Sequence, residues 1–295
     1  MAPSPGMAGS LPRHFPFLAG HDPLRMGVAA IEARHWFELD GDYAAQMAEK
    51  QRLLAERRGD VFQVLPPAEA PARELLEAVV AWTLATHADR FARDNGALRC
   101  PDGRRVALAE RHPLEAAALL VQEDLCILTQ GGAGALILSG ACLCFPSRWR
   151  LAEKLGHPMP AVHAPVPGLN ARIGATIDRF LAGLKAGNIY MRTNWSLTTD
   201  SALFQPVALA HAAIAAADAG ERVFYRVERQ TLRLLPKTGA VLFGIRIHQH
   251  KLASFAALPE QRHALAAAVA ALDPGLVAYK SMTAIRDAAI AYLNA

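Results

Sequence analysis

The sequence predicts an α+β fold, a five-stranded antiparallel sheet flanked by N- and C-terminal helices. Three observations lead there. Apolar residues recur at helical spacing near both ends of the chain but alternate in its middle. The middle holds five strand-like runs, grouped as two and then three. Between the groups lies a proline-rich helical excursion, residues 147–185.

The N-terminus, MAPSPGMAGSLPRHFPF, is rich in Pro, Gly and Ser, so residues 1–25 are expected to form a flexible arm. It lacks the apolar core of a signal peptide. Residues 26–295 then make one domain, and a chain 52% hydrophobic is long enough to build its core. DYAAQMAEKQRLLAERR has helical spacing, with Tyr43, Met47 and Leu54 on one side. ARELLEAVVAWTLATHADRF is a stronger amphipathic helix, and His87 continues its apolar face as a boundary residue.

EDLCILTQGGAGALILSGACLCF reads as two strands joined by a glycine-rich turn. A strand follows GGAG rather than a helix N-terminus, so this is not a phosphate loop. The excursion comes next. Its helix, NARIGATIDRFLAGLKAG, is capped by Asn170 and stopped by Gly187. IYMRTNWSL, RVFYRVERQTLRLL and AVLFGIRIH complete the sheet, the last two joined by the turn PKTG. SMTAIRDAAIAYL returns to helix behind Ser281. Two strands, a helical excursion and three strands is the order of a PAS-type sheet, which places a ligand between the sheet and segment 147–185.

Composition excludes several function classes. A net charge of +4 with scattered arginines gives no basic stripe for nucleic acid. No window offers the apolar length of a membrane helix. The four cysteines form no CxxC pair and sit mostly in apolar runs, as in a reducing cytoplasm. There is no HExxH, GxSxG or Walker loop, no GxGxxG before a helix, and no cysteine spacing for an iron–sulfur cluster.

What remains is a set of histidines, arginines and aromatics. His163 lies in AVHAPVP, where prolines restrict the backbone and are expected to hold it extended. A stiff backbone suits either an axial haem ligand or a core histidine bonded to a carbonyl. His157, beside Pro158, reads as surface. His248 and His250 could form an i, i+2 metal pair, with no third ligand apparent in the sequence. Cys144 reads as a buried thiol rather than a thiolate ligand. Arg148, Arg226, Arg229 and Arg246 are candidates for anion contacts, with Arg150 beside them. Trp149 and Trp195 suit the core or an aromatic pocket wall. Glu228 shares a strand face with Arg226 and could pair with it or with an amine.

Seven segments in order carry a resemblance. They are HWFELDGDYAAQMAEKQRLL, VQEDLCIL, LCFPSRWRLAEKLG, VHAPVPG, RTNWSL, LFQP and VERQTLRLLPKTGAVLFGIR. Over roughly residues 26–290 the chain resembles the haem-dependent oxidative N-demethylases, the oxygenase component of dimethylamine monooxygenase. The resemblance implies a PAS-like domain binding haem b through a histidine, carried onto His163. It implies O2-dependent conversion of a secondary methylamine to a primary amine and formaldehyde. Electrons would come from NADPH through partner subunits of the flavin, iron–sulfur or ferredoxin type. Trp195 and Glu228 are then expected beside His163 in catalysis, and Arg148, Trp149, Arg226, Arg229 and Arg246 around the haem. A non-catalytic haem sensor is the alternative. The resemblance breaks at IRIHQHKL.

Overall fold

The computed structural model describes residues 11–20, 22 and 24–295. The first ten residues of the expected arm therefore lie outside the described ones. From Leu11 onward this segment lies against the body, with Phe17 and Leu24 buried.

The main sheet has seven strands and corrects the expected five-stranded PAS-like sheet. They are β1 (Ala29–Ile31), β2 (Phe62–Val64), β6 (Asp124–Gln130), β7 (Leu136–Cys142), β8 (Ile189–Thr198), β9 (Phe224–Leu234) and β10 (Val241–Lys251). A separate small sheet holds β3 (Ala92–Asp94), β4 (Ala97–Arg99) and β5 (Arg105–Ala107). In the main sheet the order is β1-β8-β9-β10-β6-β7-β2, antiparallel at every junction. The five long strands are the five expected ones. β1 and β2 add a short strand at each edge, and three residues are too few to show a period of two.

The β9–β10 hairpin closes at the predicted PKTG turn. Gly239 has φ +71°, a conformation glycine adopts without a Cβ penalty, and Leu235 N–H donates to the Ala240 carbonyl at 2.8 Å.

Register sorts the strand residues by face. Arg192, Asn194 and Ser196 of β8 pair with Gln230, Glu228 and Arg226 of β9, so all six share one face. Across to β10, Gln230 and Glu228 pair with Ile245 and Ile247. The opposite face carries Trp195, Val227, Arg229, Arg246 and His248.

That opposite face is covered from both chain ends. The helix Tyr43–Glu56 buries Tyr43, Gln46, Met47, Lys50, Leu53 and Leu54 at helical spacing. Lys50 survives inside this stripe because its ammonium donates to the carbonyls of Ala118, Val121 and Glu123. Trp195, Leu197, Tyr225 and Val227 pack with Leu265 and Val269 of the helix Pro259–Ala270 and with Met282, Ile285 and Leu293. No helix among the described residues is long and apolar enough to cross a membrane.

Candidate functional site

The first face of the sheet is covered by the excursion, and the two enclose an open cavity with about 1440 Å³ of empty space, mouth included. Apolar side chains from both layers line it, among them Leu128, Ile245 and Phe243 from the sheet and Met159, Val162 and Phe180 opposite. Set into this apolar wall are Arg148, Trp149, Lys154, His163, Arg192, Asn194, Glu228, Tyr279 and Lys280.

His163 ends a short helix, Met159–His163, rather than lying in an extended segment. Pro158 caps this helix and Pro160 falls in its first turn, where a missing N–H costs no hydrogen bond. The prolines thus start the helix that presents the imidazole. Burial first, then the positive charges of Lys154 and Arg192, pushes the His163 pKa down to about 4. The ring is therefore neutral at pH 7 and keeps a lone pair for a metal. His157 is exposed, six residues before the helix ends.

Cations dominate the walls. Arg148 adopts φ +63°, a left-handed backbone, with its amide donating to the Gln205 carbonyl at 2.7 Å. Its Nη1 reaches Ser196 Oγ at 3.4 Å, while its buried Nε has no hydrogen-bond partner among the described residues. Arg192 Nε is buried and unpaired in the same sense. Lys154 donates to the Val162 carbonyl at 2.7 Å and lies 5.1 Å from the Trp149 ring centre. Lys280 donates to Asn194 Oδ1 at 3.0 Å and to the Trp195 carbonyl. Burial, aided by Arg148, pushes the Lys280 pKa down to about 7.

Glu228 is the carboxylate among the lining residues. Burial opposes its ionisation, but the Ser147 hydroxyl and the charges of Arg148, Arg226 and Lys280 outweigh it and hold the pKa below the ordinary glutamate value. Its Oε2 accepts from Gln230 Nε2 at 2.8 Å and from Asn194 Nδ2 at 3.4 Å.

The other expected residues lie elsewhere. Arg226 sits on the cavity face but is consumed by structure. Its guanidinium donates to Ser147 Oγ, Gln249 Oε1 and the carbonyls of Phe145, Pro146, Ala202 and Leu203, and none of these bonds goes to Glu228. Arg229 and Arg246 are on the far face, paired with Glu38 at 3.0 Å and Asp40 at 2.6 Å. Trp195 is also on the far face and packs against Phe17 and Tyr225. Cys144 is a buried thiol whose pKa is raised by its contact with Cys142 and by burial.

Sequence reasoning missed Arg192, Lys154, Tyr279 and Lys280 as lining residues. Alternation in IYMRTNWSL carried a signal for the first, since it puts Arg192 on the face opposite Trp195.

The chemistry of this set fits haem. A neutral, half-buried imidazole can ligate iron, apolar walls can contact a macrocycle, and two desolvated arginine Nε–H groups lack acceptors that propionates supply. Residues 27–290 match the family model described as haem-dependent oxidative N-demethylase, alpha subunit-like, and the chain belongs to that family.

Proposed function

We propose that this chain is the haem-binding oxygenase subunit of a monooxygenase that demethylates a small secondary methylamine of the dimethylamine type. The reaction consumes the amine, O2, two electrons and two protons, and yields a primary amine, formaldehyde and water. One observation carries the reading: His163, Arg148 and Arg192 converge on a single apolar cavity, each with a polar group that a bound haem would satisfy.

His163 is the residue for the iron of a b-type haem, and Arg148 and Arg192 are those for its propionates. Bound haem supplies O2 activation and the oxidising power that removes hydrogen from the N-methyl group. The protein does the rest. The apolar walls exclude water. Glu228, held ionised in a buried position, accepts the N–H groups of a methylammonium and orients its methyl group. Lys280, with a pKa of about 7, holds or releases a proton at Nζ near neutral pH. Asn194 lies between these two groups. Electrons would come from NADPH through partner flavin and iron–sulfur subunits, in the cytoplasm.

An absorption spectrum tests the cofactor and formaldehyde release tests the reaction. Haem-reconstituted protein is expected to show a Soret band that His163→Ala shifts or abolishes, and to release formaldehyde from dimethylamine with a reductant. No Soret band after reconstitution would sink the reading. Haem binding without formaldehyde from any small methylamine would favour the non-catalytic sensor.

A further inference from the structure

The segment IRIHQHKL contributes to a cluster on the far face of the sheet. His248 of β10 points its Nε2 at Glu38 Oε2, 2.8 Å away. His14 approaches the same oxygen from the N-terminal segment, with its Nε2 at 3.1 Å. The three groups come from different parts of the chain, and their ligand atoms all lie within 4.8 Å of one another.

We propose that His14, Glu38 and His248 form a zinc-class metal site separate from the haem cavity. Two imidazole nitrogens and one carboxylate oxygen are donors that suit Zn2+ and disfavour Mg2+ and Ca2+, which prefer all-oxygen shells. The two nitrogen–oxygen separations, 2.8 and 3.1 Å, fall a little short of the edge of about 3.3 Å expected for a tetrahedron with bonds of about 2.05 Å, so a small outward shift of the donors admits the ion. Without an ion, both rings must direct an Nε2–H at one oxygen. With an ion, each neutral ring carries its proton on Nδ1 instead, and the Nε2 lone pairs so freed bind the metal.

The surroundings keep the donors in place. Arg229 Nε binds the other carboxylate oxygen of Glu38 at 3.0 Å, leaving Oε2 turned toward the histidines. Asp40 Oδ2 lies 3.9 Å from His248 Nδ1, behind the ring, where carboxylates commonly support a metal-bound histidine through a water. His14 is fixed by its own carbonyl, which accepts from Tyr225 Oη at 3.0 Å. The His14 and His248 side chains are 18% and 11% exposed, and Glu38 30%, so an ion has a route in. Three protein ligands leave a fourth position for water. The metal ties the N-terminal segment to β10.

The test uses tag-free, haem-loaded full-length protein. It is titrated with zinc sulfate against a chromophoric chelator, and zinc and haem are then counted per chain after gel filtration. One zinc per chain is expected, together with a zinc-dependent rise in melting temperature. His14→Gln, near the chain start, and His248→Gln should each lose the zinc while keeping the haem. No stoichiometric zinc on the native chain, or zinc retained in both variants, would overturn the site.

Discussion

Glu228 and Lys280 are joined through one amide. Asn194 donates from Nδ2 to Glu228 Oε2 at 3.4 Å and accepts at Oδ1 from Lys280 Nζ at 3.0 Å. The buried anion of the cavity and its most perturbed lysine are thereby held on opposite ends of the same side chain.

Glu228→Gln should separate amine binding from haem binding. The glutamine keeps the shape but cannot balance a methylammonium, so kcat/KM for the amine should fall at least about 30-fold, equivalent to about 2 kcal/mol. The haem spectrum should persist, because Glu228 is not among the groups assigned to the haem. Steady-state kinetics beside a haem titration checks this; equal loss of both would place Glu228 with the cofactor.

Lys280 makes stability depend on pH. Its ordinary pKa of 10.5 falls to about 7 in the fold. Between these values the unfolded chain binds the extra proton, so the native state gains from rising pH. Below pH 7 both states are protonated and this dependence vanishes. In the haem-free chain, stability in urea should therefore rise from pH 7 to pH 9 by up to about 1.4 kcal/mol per unit from this residue. Lys280→Met should remove that component. Equal slopes in the two proteins would contradict the assignment.

The arginines should divide by face. Arg192→Leu removes from the cavity wall a guanidinium whose buried Nε has no partner among the described residues, and should weaken haem affinity about tenfold, with little loss of stability. Arg226→Leu strands buried acceptors in the carbonyls of Phe145, Pro146 and Leu203 and should destabilise by about 3 kcal/mol or more. Haem titration and thermal unfolding of both variants distinguish the roles. A haem defect in Arg226→Leu without lost stability would reverse them.

These contrasts mark what the sequence could express. The five long strands were legible because each spans seven or more residues, the first two as apolar runs around a glycine-rich turn and IYMRTNWSL by an alternation that also held the face of Arg192. The edge strands Ala29–Ile31 and Phe62–Val64 were not, since pairing with a neighbour rather than local pattern makes them strands. His163 was legible as a stiffly held residue. Its helix was not, because proline restricts a chain in both an extended segment and a first helical turn. Lys280 left no trace, since it follows the helix Pro274–Tyr279 and reaches the cavity only through tertiary packing. The sidedness of Arg229 and Arg246 needed the partners Glu38 and Asp40, about two hundred positions away in the sequence.

The docking of the last helix onto the body rests on a residue with no side chain. A Cβ at Gly220 would lie 2.5 Å from Tyr292 Cζ, 2.6 Å from its Oη and 2.7 Å from its Cε2. Tyr292 belongs to the helix Arg286–Asn294, and the Arg262 guanidinium stacks 5.5 Å from its ring while donating to its backbone carbonyl. The ring therefore cannot swing aside without giving up that contact. Gly220→Ala should destabilise by about 1–3 kcal/mol through overpacking. At Gly59 an added Cβ meets nothing within 4 Å, so Gly59→Ala serves as the control and should leave stability unchanged or raise it by up to about 1 kcal/mol. Thermal unfolding of the two variants decides. If Gly220→Ala melts with the native chain while Tyr292→Ala does not, the ring has room to move and the close approach is not what fixes the helix.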